Sequence, residues 1–289
     1  MRVIDLLTNE EPTLSFEVFP PKKETAYENV KAATEKIAAL KPSYMSVTYG
    51  AGGGTSKYTI DIASNLLSHG VTPVPHITCV STPKDEISRL LDQMKEKKIE
   101  NVLALRGDIP EGARDRDKWS FQHASDLAAF IKERGDFCIG GACYPEGHPE
   151  SKDLKEDALN LKKKQDAGVD YLVTQMFFDN DILFHYLYVL RELGVTIPVV
   201  PGIMPITKAS QVKRSIELSG SYMPRRFLQL VDRYGDNPKA MKQAGIIYAT
   251  DQIIDLFANG INHVHVYSMN DPEVAQKIQE NISGILGRD

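Results

Sequence analysis

The sequence has little cysteine, little tryptophan and no long apolar stretch. Its 289 residues include three cysteines and one tryptophan. Cys79, Cys138 and Cys143 have neither an even count nor a CxxC spacing, which argues against a disulfide framework or a metal site. We expect three small buried side chains in a reducing cytoplasm. No apolar run approaches the roughly 20 residues that span a bilayer, and the polar N-terminal stretch does not resemble a signal peptide.

An excess of positive charge is also missing. The net charge is -5 and the pI is about 5.9, so the chain shows no basic footprint for nucleic acid or for an anionic membrane. We therefore expect small-molecule substrates, with no nucleic-acid and no membrane partner. An acidic ligand must be met by local positive groups.

What the sequence does contain is one pattern repeated from end to end: a short β-rich apolar run, a polar turn and a helix-period segment. The pattern predicts strands at 14–19, 44–48, 73–79, 101–106, 137–143, 171–176, 197–203 and 263–268. Helices are predicted near 25–40, 55–69, 83–98, 121–134, 150–167, 180–194, 207–219, 237–259 and 271–286. The interruption at 220–236 predicts a short extra helical segment before the last barrel helix. The alternation favours a single (β/α)₈ TIM barrel over 1–289, and an open doubly wound sheet is the alternative.

Polar residues stand where the predicted strands end, which is where the active sites of such barrels lie. Strand alternation places Glu17 on the face opposite Phe16 and Val18, inside a closed barrel. Desolvation there would raise the pKa of the carboxyl and suit it to general acid catalysis. A structural ion pair inside the barrel, with an arginine of a neighbouring strand, is an equally good interpretation of this residue alone.

Other strand ends carry further candidates, each with a plain structural alternative. His76 could be a satisfied core histidine, and Arg106 and Asp108, separated by Gly107, could neutralise one another. The glycine-rich loop 50–54 could cradle an anion or simply form a tight turn, and it fits neither a Walker A nor a GxGxxG pattern. On the fifth helix of the repeat, one face carries acceptors, an amide and cations suited to ribose and pyrophosphate, or it is only a solvated face: Asp157, Asn160, Lys163 and Lys164.

These blocks together resemble the methylenetetrahydrofolate reductase family, in its bacterial form with the catalytic barrel alone. The resemblance is carried by SFEVFPPK (15–22), SVTYGAGG (46–53), PHITC (75–79), LRGD (105–108), HASDL (123–127), YPEGHPE (144–150), DALNLKKKQDAG (157–168), TQMFFD (174–179), PGIMPI (201–206) and HVHVYSMN (263–270). They occur in family order and span almost the whole chain.

The resemblance implies one FAD-binding catalytic domain that acts by a ping-pong scheme, with NADH or NADPH as co-substrate and 5,10-methylenetetrahydrofolate as substrate. It implies a cytoplasmic homo-oligomer in one-carbon metabolism and methionine biosynthesis; a barrel that needs a partner subunit is the alternative. Glu17 matches the general acid. Positions that match FAD contacts are Thr48, Tyr49, Ala51, His76, Arg106, Gly107, Asp108, His123, Ala124, Tyr144, His148, Asp157, Asn160, Lys163 and Lys164. Those that match folate contacts are Glu17, Asp108, Gln175 and Gln211.

Three positions depart from the family pattern. Asp271 follows Asn270 where the family commonly has an arginine that contacts the folate, and Ser215 replaces a bulky apolar residue. His123 stands where a tyrosine beside the cofactor is common. None of them touches the expected chemistry, so we expect altered affinity rather than an altered reaction.

Overall fold

The computed structural model describes residues 1–21, 23–49, 56–80, 82–109 and 119–287, without the side chains at 56, 57, 218 and 219. Nine β segments form one sheet in which every hydrogen-bonded pair is parallel. They are β1 (Thr13–Val18), β2 (Met45–Val47), β3 (Pro73–Thr78), β4 (Asn101–Leu105), β5 (Cys138–Cys143), β6 (Tyr171–Thr174), β7 (Val199–Val200), β8 (Gly202–Ile203) and β9 (His263–Tyr267).

The sheet closes on itself through a strand that is broken at Pro201. β7 pairs with β6 and β8 pairs with β9, so the two segments are the two halves of one barrel strand. Proline has no N–H for the ladder, but its carbonyl still accepts a hydrogen bond from His265 N at 2.9 Å. The nine segments therefore make eight barrel strands. This confirms the predicted (β/α)₈ barrel and excludes the open sheet.

Helices cover the outer face of the barrel and alternate with the strands. They are α1 (Val3–Leu7), α2 (Tyr27–Ala38), α3 (Ser56–Ser68), α4 (Lys84–Glu96), α5 (Ala124–Arg134), α6 (Leu154–Asp166), α7 (Asn180–Glu192), α8 (Ala209–Ser219), α9 (Arg225–Tyr234), α10 (Pro238–Ala258) and α11 (Pro272–Asn281). Outward-facing strand residues such as Phe16, Val18 and Val266 join the helices in one large buried cluster. The extra helical segment predicted within 220–236 is α9. Over the described ranges, no helix is both long and apolar enough for a membrane span.

The first helix, α1, is a feature that the sequence pattern did not predict. Its Val3 and Leu7 are buried against side chains from the N-terminal ends of the strands, and Val3 N donates to Asn101 Oδ1 at 2.7 Å. We call this cluster the apolar half of the barrel interior: Val3, Leu7, Tyr44, Val74, Leu103, Cys138, Tyr171, Val173 and Val200. Helix α1 thus covers the N-terminal end of the barrel.

Candidate active site

The strand register brings Glu17 beside polar residues from both neighbouring strands. Glu17 is paired in register with Ser46 of β2 and with Tyr267 of β9, and Ser15 is paired with His265 of β9. Because side chains alternate along a strand, all of these point to the barrel interior, as predicted for Glu17. The part of the interior nearer the C-terminal ends of these strands is therefore polar.

Glu17 is buried, with 8% of its surface exposed. Its Oε2 lies 3.3 Å from Ser46 Oγ, 3.5 Å from His76 Nε2 and 3.9 Å from His265 Nε2. Every ion-pair partner of Glu17 among the described residues is a histidine, so an arginine from a neighbouring strand does not fill that role. We call Ser15, Glu17, Ser46, His76 and His265 the polar half of the interior.

The histidine closest to Glu17 is held neutral by its surroundings. Burial lowers the pKa of His76 to about 4, although the nearby Glu17 carboxyl acts in the opposite direction. Its buried Nε2 has no hydrogen-bond partner within the described chain. His76 is therefore not the satisfied core histidine of the structural alternative, and it does not provide a cation for Glu17 at neutral pH.

The other histidine belongs to a chain of hydrogen bonds that runs into the barrel wall. Ser46 Oγ lies 3.0 Å from His265 Nε2, and His265 Nδ1 lies 2.8 Å from Ser15 Oγ. Ser15 Oγ in turn donates to Val264 O at 3.0 Å. The chain connects the Glu17 carboxyl to the backbone through three side chains.

Residues just after β9 hold the end of β1 in place. Ser268 Oγ donates to Glu17 O at 2.6 Å. The Asn270 amide accepts from Phe19 N at 2.8 Å and donates to Phe19 O at 2.9 Å, so a side chain continues the ladder beyond the strand. Met269 and Asn270 both adopt left-handed backbone conformations, with φ of 53° and 55°, which turn the chain toward α11. Glu17 therefore sits on a strand end that the residues after β9 hold in place.

The Arg106–Asp108 segment lies at the rim, at the end of β4. Arg106 is paired with Glu150, at 2.5 Å from Nη1 to Oε2 and 3.0 Å from Nη2 to Oε1, rather than with Asp108. This hydrogen bond raises the pKa of the guanidinium. Gly107 has φ of 86°, and a Cβ there would lie 2.9 Å from Thr78 Cβ, so the close approach requires glycine. Asp108 itself is exposed at the rim.

Beside this segment, four predicted FAD contacts form one neighbourhood. The rings of Tyr144 and His148 meet edge to face at 4.7 Å. Asp157 is buried, its Oδ2 has no hydrogen-bond partner among the described residues, and burial raises its pKa. Burial also lowers the pKa of Lys164, whose ammonium donates to Ala142 O at 2.7 Å. Asp157 and Lys164 are thus not on a merely solvated helix face.

This neighbourhood fits the polar parts of FAD. No donor among the described residues reaches the buried Asp157 Oδ2, an acceptor that a ribose or ribityl hydroxyl could satisfy. Arg106 and Lys164 are cations suited to a pyrophosphate, and Glu150 would have to share Arg106 with that group. The residues present therefore match the donor and acceptor chemistry of the cofactor.

The remaining predicted FAD contacts are more scattered. Lys163 is exposed and donates to Asn160 Oδ1 at 3.0 Å. Exposed His123 precedes α5, and its backbone N–H donates to Asp126 Oδ2 at 2.9 Å. The other positions are the half-buried Thr48 and Tyr49 after β2, the buried Ala124 at the start of α5, and Ala51, which with the loop 50–54 lies outside the described residues.

The two predicted folate-binding glutamines both use their amide oxygen locally. Gln211 Oε1 accepts from Thr207 N and Lys208 N, each at 2.9 Å, at the start of α8. Gln175 Oε1 accepts from Met176 N at 2.9 Å. Gln175 also lines a narrow cleft at the rim, together with Tyr144, Pro145, Glu146, Gly147, Met176 and Ser221.

The departures from the family pattern have structural consequences. Asp271 is the N-cap of α11, where it accepts from Glu273 N at 3.0 Å, and its other oxygen binds Lys242 Nζ at 2.8 Å. Ser215 is buried, and the neighbouring Ile216 is 44% exposed. Ile216 and Leu218 are the apolar neighbours that could take over the contact missing at Ser215, but the side chain of Leu218 lies outside the described residues.

Sequence reasoning did not single out Ser46, His265 and Tyr267. The run HVHVY at 263–267 did carry a signal, because its alternation puts His263, His265 and Tyr267 on one face. Their partners depend on the register between β9, β1 and β2, which no single strand reveals. Tyr267 Oη donates to Thr174 O at 2.6 Å, across the broken barrel strand.

Two other features lie away from this site. All three cysteines are buried and free, as expected, and burial raises the pKa of each thiol to about 11 or 12. The described residues contain no group of His, Cys, Asp or Glu side chains that could hold a metal ion. A surface groove of about 550 Å³ between α3 and α4 is lined mainly by charged and polar side chains and contains none of the predicted site residues.

Comparison with known proteins shows the family to which this chain is similar. The sequence model described as "Methylenetetrahydrofolate reductase" matches residues 2–283. The chain belongs to the methylenetetrahydrofolate reductase family. The 5,10-methylenetetrahydrofolate reductase of Escherichia coli K12 is 32% identical over 266 residues, which cover 92% of this chain and 88% of that protein.

Other members of the methylenetetrahydrofolate reductase family are longer. Methylenetetrahydrofolate reductase (NADH) 1 of Zea mays is 35% identical over 298 residues, covering 97% of this chain but 50% of the plant protein. The chain thus spans about half the length of the plant relatives that it matches. A Clostridium thermocellum protein, described as binding two copies of 5-methyl-5,6,7,8-tetrahydrofolic acid, has the same fold, with a TM-score of 0.66, 16% identity and 99% coverage of both chains.

Proposed function

We propose that the chain is a methylenetetrahydrofolate reductase that uses FAD and either NADH or NADPH to convert 5,10-methylenetetrahydrofolate to 5-methyltetrahydrofolate. We further propose that residues 1–289 act as one catalytic domain. The observation that carries the proposal is Glu17, a buried carboxyl at a strand end, set among Ser46, His76 and His265. Family membership supports the same conclusion, and nothing in the comparisons favours a barrel that depends on a partner subunit.

The residues of the chain have separate roles in this scheme. Bound FAD supplies the hydride chemistry between the nicotinamide and the methylene carbon. Arg106, Asp157 and Lys164 hold the polar parts of the cofactor. Glu17 donates a proton from its carboxyl oxygen to the ring nitrogen that leaves when the five-membered ring of the folate opens. Asp108, after β4, and Gln175, after β6, orient the pterin.

The test follows the two half-reactions separately. We expect purified protein to be yellow, to bleach when NADH or NADPH is added anaerobically, and to regain its colour with methylenetetrahydrofolate. Tetrahydrofolate, which lacks the one-carbon bridge, is the matched control and should not restore the colour. A colourless protein that takes up no added FAD, or a reduced flavin that methylenetetrahydrofolate does not reoxidise, would overturn the proposal.

A further inference from the structure

The hydrogen bonds beneath Glu17 involve few hydrogens. Counting their donors therefore shows which atoms carry a hydrogen. Ser15 has a single hydroxyl hydrogen, and Val264 O, at 3.0 Å, can only accept it. Ser15 Oγ must then accept from His265 Nδ1 at 2.8 Å. The ring of His265 therefore carries hydrogen on Nδ1, which leaves Nε2 as an acceptor when the ring is neutral.

The next link has two acceptors for one hydrogen. Ser46 Oγ faces His265 Nε2 at 3.0 Å and Glu17 Oε2 at 3.3 Å, but it too has one hydroxyl hydrogen. If Ser46 donates to His265, a hydrogen bond between Ser46 and Glu17 can form only when the Glu17 carboxyl is protonated and donates it. If Glu17 is ionised, its best donor is the Ser46 hydroxyl, turned away from His265.

Other titratable groups that face Glu17 do not compete for this role. His76 from β3 is neutral, since burial lowers its pKa to about 4. Tyr267 from β9 is also neutral, since burial raises its pKa well above the ordinary value, and it donates to Thr174 O. Within the described interior, the Ser46 hydroxyl is the donor that the structure places within hydrogen-bond distance of the Glu17 carboxyl.

We propose that Ser46 is a positioning residue with a switching hydroxyl, which donates to His265 while Glu17 is protonated and to Glu17 once the acid has given up its proton. His265 and Ser15 hold the resting position of that hydroxyl. The proton passes from the Glu17 carboxyl to the leaving ring nitrogen of the folate, and the Ser46 hydrogen rotates without leaving its oxygen. The inference rests on the proposed role of Glu17 as the proton donor.

The first experiment examines the resting hydrogen bonds without any substrate. In FAD-loaded protein labelled with ¹⁵N-histidine, we expect the His265 ring to be the Nδ1–H tautomer, assigned by comparison with His265→Gln. Ser46→Ala should shift the Nε2 resonance, because the ring loses its donor, and Ser46→Thr should restore it. An Nε2–H tautomer in the wild type, or an Nε2 resonance unchanged by Ser46→Ala, would overturn the proposal.

The second experiment measures the consequence for proton donation. Ser46→Ala should slow flavin reoxidation by methylenetetrahydrofolate about tenfold or more, because the ionised Glu17 loses its donor. Flavin reduction by NADH or NADPH should be unchanged, and Ser46→Thr should recover most of the rate. Equal slowing of both half-reactions, or no rescue by threonine, would assign Ser46 a merely structural role.

A matched control lies one layer lower in the same two strands. Thr13 Oγ1 is 2.9 Å from His263 Nδ1, a hydroxyl–histidine pair like Ser15 and His265 but farther from Glu17. Thr13→Val should leave both half-reactions unchanged. If wild-type protein is not reoxidised by the folate at all, the proposed function fails, whereas the histidine spectra still decide the hydrogen-bond switch.

Discussion

The two halves of the barrel interior have opposite chemistry and draw on largely different strands. The polar half comes from β1, β2, β3 and β9, and the apolar half comes from α1, from Tyr44 just before β2 and from β3–β7. The apolar half, covered by α1, consists mainly of aliphatic and aromatic side chains. The polar half, toward the C-terminal strand ends, contains two histidines and a carboxyl that are all buried. Tyr44 stacks on His265 at 5.6 Å where the halves meet. Burying polar groups is costly unless they are satisfied, so the difference suggests that one half maintains the fold and the other serves chemistry.

The largest effect on function is expected from Glu17→Gln in the polar half. The amide has the same shape but cannot donate a carboxyl proton, so flavin reoxidation by methylenetetrahydrofolate should fall by about 10²–10⁴-fold. Flavin reduction by NADH or NADPH should survive. Stopped-flow absorbance of each half-reaction checks this, with the exposed Glu11→Gln as a control that changes neither rate. Similar losses in both half-reactions would mean that Glu17 is structural.

Leu7→Ala, in the apolar half, should lower stability and leave the chemistry unchanged. Removing a buried leucine side chain from α1 leaves a cavity and should lower the free energy of unfolding by about 2–5 kcal/mol. The folded variant should carry out both half-reactions at the wild-type rates. Urea unfolding measures the stability, and Leu159→Ala, at a 45% exposed leucine of α6, is the matched control with little expected effect. A fully stable Leu7→Ala protein would contradict the role given to α1.

A smaller effect should appear as a pH dependence that comes from the polar half. Burial lowers the pKa of His76 from 6.5 to about 4. Between these values the unfolded chain binds a proton that the folded protein does not, so stability should fall as pH falls through this window. The expected contribution is about 2 kcal/mol lost at pH 5 relative to pH 7.

His76→Gln should remove that contribution. Unfolding at pH 7 and pH 5 should therefore differ less in the variant than in the wild type. His69→Gln, which removes an exposed histidine, is the control and should keep the wild-type difference. If His76→Gln and wild-type protein lose the same stability on acidification, His76 does not titrate as the structure indicates.

Much of the fold could be predicted because apolar periodicity is a local property. The eight strands and the helix α9 lie within the predicted ranges or within a residue of them. The apolar spacing of Val3 and Leu7 hinted at α1, but five residues are too few for a periodic signal. The break at Pro201 could not be predicted, because it depends on which strands flank it in the closed barrel.

Less of the candidate site could be predicted from the sequence. Glu17 was found by alternation on one strand, whereas Ser46 and His265 become relevant only through register between three strands. The pairing of Arg106 with Glu150, 44 residues apart, needs tertiary structure. Asp271 could have been read as an N-cap from the following Pro272 and Glu273, since that pattern starts helices.

Helix α1 also affects how ligands enter and leave the barrel. Because α1 covers the N-terminal end of the barrel, we expect a ligand to reach Glu17 from the opposite mouth, where Asp108 lies. In the proposed reaction, nicotinamide and folate would share this mouth of the barrel, and each would block the other while bound there. An excess of either would then slow the proposed turnover, so the rate would depend on the ratio of the two in the cell as well as on their amounts.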